Sequence, residues 1–302
     1  MSTINNLIVN NDGSTTDIKD FPTIKIDQLS DIFLLNNFDE EYRENTWDTY
    51  KFNNIPVPRV SNILKETIAK EYLVNWAAKV GYKNMEYIRN SATFIGSRVH
   101  ELIEHYLTFN EDLDISYRIS PRYMKKIDIA YHNFKAWLEN LNKLGYKIEK
   151  IYGLEKSISC PYYGGTIDCI AQINGAVYIL DWKTSKQISF EYIIQTIAYM
   201  WCINHGYVKD IHHIDGIGIV RVDKNKEDTY EDLFLNYHIP YQRDIINQYT
   251  NGFGFMLGSY YNNINMRLLF DQYQEKYSLK PVLSVGGKES DWSCKQEIDW
   301  QF

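Results

Sequence analysis

Gly164-Gly165-Thr166-Ile167-Asp168 and Tyr178-Ile179-Leu180-Asp181-Trp182-Lys183-Thr184 set two aspartates 13 residues apart. Between them lies Asn174-Gly175. That pair favours a two-residue hairpin turn, because both positions accept positive φ. The spacing predicts strands over 147–159, 165–173 and 176–181, joined as an antiparallel meander. Such a hairpin lays the end of one strand beside the other, so Asp168 and Asp181 can converge on one point. Convergent carboxylates repel unless a cation sits between them, and hard oxygen ligands suit Mg²⁺ or Mn²⁺. Lys183 follows Asp181 by two and shares its face of the strand. Trp182 points the other way but can offer its backbone carbonyl as a ligand. A divalent cation, an activated water and a lysine near a phosphate are the parts of a phosphodiester hydrolase.

Upstream, Pro58-Arg59-Val60-Ser61 leads into an apolar-periodic stretch from Asn62 to Val80. It predicts a helix capped by the Ser61 hydroxyl. A second helix is predicted over 92–108, where Val99, Leu102, Ile103 and Tyr106 recur at helical spacing. A third follows Ser120-Pro121, with proline in its first turn, and stops near Gly145. Downstream, 189–205 predicts a helix, 214–222 and 233–238 two strands, and the chain from 242 a helix. The last 20 residues read as irregular. This is an α/β order, a mixed sheet flanked by helices. The chain divides into an N-terminal arm or cap (1–50), a helical subdomain (51–145), a core of sheet and helix (146–240) and a C-terminal helical extension (241–302).

Four motifs in order resemble the RecB-type branch of the PD-(D/E)XK nuclease superfamily. They are G-x-x-x-H at Gly96 to His100, G-x-x-D ending at Asp168, D-x-K-T at Asp181 to Thr184, and Q-x-x-x-Y at Gln195 to Tyr199. Pro58 to Leu64 followed by the His100 helix is similar to phage exonucleases and the mitochondrial genome maintenance exonucleases. Arg59 and Ser61 stand where those have serine and threonine, and Ile167 where the nominal superfamily motif has proline. The resemblance implies a restriction-endonuclease-like core with an N-terminal helical subdomain. It implies that His100, Asp168, Asp181 and the Trp182 carbonyl hold Mg²⁺, with Lys183 orienting or deprotonating the water. Gln195 and Tyr199 lie beside them, and Glu155, one strand earlier, is a further acidic candidate. Arg59, Ser61, Ser97 and Arg98 are candidate phosphate contacts. Gly96, one turn before His100, is read as leaving room at the metal. The implied activity is a DNA exonuclease acting from free ends, with single strands the expected substrate. A structure-specific or restriction-type endonuclease and a noncatalytic DNA-binding module on the same fold are the alternatives.

Composition narrows the rest. Net charge is −7 and pI about 5.6, which argues against a protein that coats nucleic acid along its whole surface. A local basic track remains: residues 118–150 hold Arg118, Arg122, Lys125, Lys126, Lys135, Lys143, Lys147 and Lys150 against Asp128, Glu139 and Glu149. Cys160, Cys169, Cys202 and Cys294 lack metal-site spacing. Some RecB-like nucleases bind an iron–sulfur cluster through closely spaced C-terminal cysteines, and Cys294 stands there by itself, so no cluster is expected. The 25 tyrosines and seven tryptophans could stack bases. The first 20 residues read neither as a signal peptide nor as a membrane span. The expected location is the cytoplasm, and the richness in Asn, Ile, Lys and Tyr suits an AT-rich genome such as a phage's.

Overall fold

The computed structural model describes residues 7–9, 15–17, 43, 46–47, 49–68, 71–211 and 213–277. Most of the arm expected over 1–50, the irregular tail over 283–302 and Cys294 lie outside these residues. Within the arm, β1 (Leu7–Val9) pairs antiparallel with β2 (Thr15–Asp17). A second hairpin, β3 (Tyr50–Phe52) with β4 (Ile55–Val57), turns at Asn53 and Asn54, whose φ angles are 48° and 68°. Asparagine tolerates this left-handed region better than most residues.

The central sheet has five strands in chain order: β5 (Ile148–Ser159), β6 (Gly164–Ile173), β7 (Ala176–Lys183), β8 (Gly216–Val222) and β9 (Tyr230–Asn236). The meander β5-β6-β7 is antiparallel, and Asn174 and Gly175 close its second turn at φ 47° and 82°. A helix carries the chain from β7 to β8, which therefore run parallel, and β9 returns antiparallel.

The helices are α1 (Val60–Thr67), α2 (Glu71–Val80), α3 (Tyr82–Phe109), α4 (Pro121–Lys143), α5 (Phe190–Asn204) and α6 (Pro240–Tyr277). The single helix expected over 62–80 is two. Thr67 and Ile68 are β-branched and stiff, and Ile68 leaves the helix with extended φ −99° and ψ 115°. Ser61 does not cap α1. Arg59, bridged to Gly164, holds the cap position without a side-chain bond, and Ser61 is already inside the first turn. Ser120 sits before Pro121 without a side-chain cap bond either, whereas the Ser189 hydroxyl accepts from the Glu191 N–H at 3.3 Å. Helix α3 begins ten residues before its expected start. Its first turns carry exposed Tyr82 and Tyr87 and no apolar stripe, which is why periodicity does not reveal them.

One core joins α3 and α4 to a face of the sheet. Val99, Leu102 and Ile103 from α3 and Ile127, Phe134 and Trp137 from α4 cover Cys169, Ala171, Leu180 and Trp182. Trp182 packs edge-on against Phe134 and Trp137, with ring centroids 5.4 and 5.6 Å apart. Leu180 and Trp182 are thus fixed inward, and period-2 alternation turns Asp181 and Lys183 to the opposite face. Buried Asn133 ties down the β8–β9 turn: its amide donates to the Asp223 and Lys226 carbonyls at 2.7 and 2.8 Å. Contacts divide the chain into a body ending at Tyr261 and a unit from Asn262, in which α6 continues as helix to Tyr277. Among the described residues no helix is long and apolar enough to cross a membrane. Cys160, Cys169 and Cys202 are buried free thiols.

Candidate active site

The β6–β7 ladder ends at Cys169 and Leu180. Beyond it the strands splay, and the Trp182 N–H, released from the ladder, donates instead to Asp168 Oδ2 at 2.8 Å. A groove of about 660 Å³ lies between α3 and the end of β7, lined by Ser61, Ser97, His100, Lys183 and Tyr192 among others. Asp181, 4% exposed, holds the Lys183 ammonium with both oxygens, at 2.7 Å (Oδ1) and 2.6 Å (Oδ2). Oδ2 has that ion-pair contact but no well-aligned hydrogen bond, and is buried.

His100 reaches the strand end from α3. Its Nε2 lies 3.0 Å from the Trp182 carbonyl, and its Nδ1 lies 3.6 Å from both Glu155 Oε1 and Asp168 Oδ1. Glu155 stands across from Asp168 on β5, at a φ of 43°. Residues other than glycine, asparagine and aspartate seldom adopt that conformation, and those that do cluster at functional sites. Here it accompanies the turning of a carboxylate toward His100 and Asp168.

These donors suit a divalent cation. His100, Glu155 and Asp168 each present an atom within 4.8 Å of the others. Two ligands about 2.1 Å from one Mg²⁺ necessarily lie roughly 3–4 Å apart. The 3.6 Å separations around His100 Nδ1 match that span and are too long for direct hydrogen bonds. The Trp182 carbonyl, a candidate ligand by sequence, has a protein partner at one of its two lone pairs. It takes His100 Nε2, which leaves Nδ1 to face the carboxylates; this is how a neighbouring carbonyl orients a ligating histidine.

Burial, and then the charge of Asp181, push the Asp168 carboxyl up to about 6, with His100 and Lys183 pulling the other way. Burial by itself would lower His100, but Asp168 and Glu155 outweigh it and raise the imidazole above its ordinary range. Lys183 is likewise raised: Asp181 and Asp168 overcome its burial. Protons on His100 and Asp168 must leave before a cation can enter. Mn²⁺ affinity is therefore expected to fall as pH drops, first as His100 takes up its proton above its ordinary range and then through about 6 as Asp168 does, by up to about tenfold per pH unit for each proton displaced. Calorimetric titration between about pH 5 and 8 measures this, and a flat profile would remove both groups from the ligand set.

The other candidates divide. Gln195 donates from Nε2 to the Tyr199 hydroxyl at 3.0 Å, and the ring of Tyr199 is buried. A Cβ on Gly165 would lie 2.3 Å from that ring, so this glycine is what lets Tyr199 close on β6. Gly96 is not needed in that way, since a Cβ there would meet Thr184 at an ordinary 3.6 Å. Arg98 is engaged by Glu101 at 2.6 Å, which also takes Arg118 at 2.6 Å. Arg59 donates to Thr49 and lies over the Tyr50 ring. Sequence reasoning missed Tyr192, whose ring centroid is 5.0 Å from Lys183 Nζ. Its signal was its place three residues before Gln195 on the same helix. It also missed Tyr50, whose hydroxyl meets Thr166 Oγ1 at 2.8 Å. A second His/carboxylate group, His213, Asp215 and His238, lies at the opposite end of the sheet. There His238 Nε2 is hydrogen-bonded to Asp215 at 2.7 Å.

Part of this chain is similar to human mitochondrial genome maintenance exonuclease 1. The identity is 29%, and the match covers 49% of this chain and 44% of the human protein. The mouse protein of the same name is 23% identical, with 49% and 45% covered. The match thus spans less than half the length of these curated relatives. No protein-family model matches the chain.

Proposed function

We propose that this protein is a metal-dependent DNA exonuclease, with the restriction-endonuclease-like core of the RecB-type nucleases, that degrades single strands from free ends. The observation that carries the reading is the meeting of His100, Glu155, Asp168, Asp181 and Lys183 where β6 and β7 splay. The similarity to two proteins named as exonucleases supports it.

Asp168, Asp181, Glu155 and His100 Nδ1 would hold Mg²⁺ or Mn²⁺. Such an ion would supply Lewis-acid chemistry, acidifying water and neutralising charge that develops on the phosphate. The chain's own groups do the remainder. Trp182 fixes the ring of His100 through its carbonyl and the carboxylate of Asp168 through its N–H. Lys183, kept protonated by Asp181, carries a positive charge to a phosphate oxygen lying in the groove. The Tyr192 ring supports that ammonium from the α5 side. Gln195 and Tyr199 brace the wall behind β6.

Linear single-stranded DNA should be degraded with Mg²⁺ or Mn²⁺ and spared in EDTA, while a closed single-stranded circle should survive. Ca²⁺ should support binding with poor cleavage, because its looser coordination places water badly. Full activity in EDTA would end the metal-dependent reading. Rapid loss of the circle would move the protein to the endonucleases.

A further inference from the structure

The basic residues between 118 and 150 have different fates. Arg118 is paired with Glu101 at 2.6 Å, Lys135 with Asp112 at 3.0 Å and Lys143 with Glu139 at 3.6 Å. Arg122 and Lys126 instead line a cavity of about 380 Å³ between α3 and α4, together with Lys186 and Lys224. These cations come from separate parts of the chain. Arg122 and Lys126 are on α4, Lys186 follows β7 and Lys224 follows β8.

Among the described residues no carboxylate forms an ion pair with Lys126, Lys186 or Lys224. The acid in the wall, Asp223, is already committed. One oxygen takes Arg221 at 3.1 Å, and the other accepts from the Asn225 and Lys226 N–H groups at 2.7 and 3.1 Å. Burial lowers the Lys224 ammonium below its ordinary value, and Lys126 and Lys186 lower it further, against the pull of Asp223. Converging cations whose one neighbouring carboxylate is already shared with Arg221 repel one another, and an anion between them removes that cost. The cavity also adjoins the catalytic groove: Ala92, Thr184, Ser185 and Lys224 line both. In a chain of net charge −7, such a concentration of positive charge stands out from its surroundings.

We propose that the cavity bounded by Arg122, Lys126, Lys186 and Lys224 is a second phosphate subsite, holding a phosphate of the substrate strand next to the one being cleaved. It rests on the nuclease reading of the neighbouring groove. The phosphate is an internal diester of the strand or its terminal monoester.

The test compares wild type with the double variant Lys126→Gln, Lys224→Gln, and with Lys186→Gln. A control pair, Lys143→Gln with Lys147→Gln, removes the same charge elsewhere. Fluorescence anisotropy in EDTA follows binding of a single-stranded oligonucleotide, with and without a terminal phosphate, across a salt series. For the double variant the slope of log affinity against log salt should shrink by about 0.7, the value for one single-strand phosphate that the protein no longer neutralises. Lys186→Gln should shrink it by about half as much, and the control pair should match wild type. If the terminal phosphate tightens wild-type binding and that gain disappears in the variants, the pocket holds strand ends. Equal affinities with and without it assign an internal phosphate. The proposal is overturned if the pocket variants keep the wild-type slope or if the control pair falls as far. A wild-type protein that neither binds nor cuts the oligonucleotide would overturn the nuclease reading and this subsite together. A wild type that cuts, beside variants that bind unchanged, would overturn the subsite by itself.

Discussion

Replacing Asp181 by alanine should lower the single-turnover rate of DNA cleavage by about 10²–10³, the usual cost of removing one oriented group from a charged transition state. Lys183→Ala should lose about as much activity by another route. The two differ in metal binding. Lys183 Nζ lies within 2.7 Å of both Asp181 oxygens, so the ammonium competes with any cation for the same carboxylate. Removing it lifts both a competitor and a positive charge, and Mn²⁺ affinity should hold or rise. Removing Asp181 takes away a negative charge, worth ~1–4 kcal/mol at about 4 Å in a partly dry site. Mn²⁺ affinity should then fall. Calorimetry on the two variants separates the roles. If Lys183→Ala loses affinity as badly as Asp181→Ala, or if either variant cuts at the wild-type rate, the assignment fails.

The second large effect is on stability. Trp182 is 2% exposed and lies edge-on to Phe134 and Trp137. Truncating a buried aromatic of this size leaves a cavity and costs ~3–5 kcal/mol. Trp182→Ala should lose about that much in urea denaturation, and Trp182→Phe clearly less. The contacts of residue 182 with His100 and Asp168 are made by its backbone, which alanine keeps. Mn²⁺ binding per folded molecule should therefore survive in Trp182→Ala. Loss of metal binding in a variant that is still folded would show that the indole, not the main chain, sets the geometry.

What the sequence made legible was local. Asn174-Gly175 announces a hairpin, and residue parity then puts Asp181 and Lys183 on one face. The relatives named as exonucleases agree with the activity suggested by the ordered motifs. What escaped was decided by partners distant in the chain. The use of the Trp182 carbonyl by His100 spans 82 positions, and no periodicity encodes it. The left-handed backbone at Glu155 falls where the β5–β6 register on either side is regular, and an ordinary glutamate gives no sign of it. The end of α1 at Thr67 and the β3–β4 hairpin carried signals, a β-branched pair and Asn53-Asn54. Both are weak beside the longer apolar pattern that surrounds them. Spacing places Gly96 on the face of His100, where it lines the groove, but does not say that Thr184 stands opposite it.

The alternation along β7 also limits how this part of the chain can vary over time. Adding or deleting one residue between Gly175 and Asp181 would exchange the two faces, driving an aspartate and a lysine under α4 and delivering a tryptophan to the groove. A change of two residues restores the faces but shifts the carboxylate along the strand by about 6.6–6.8 Å, out of reach of His100 and Asp168. Neither odd nor even length changes are tolerable there. The segment from the Asn174-Gly175 turn to Lys183 can diversify by substitution only, while insertions are left to the outer turns of the sheet.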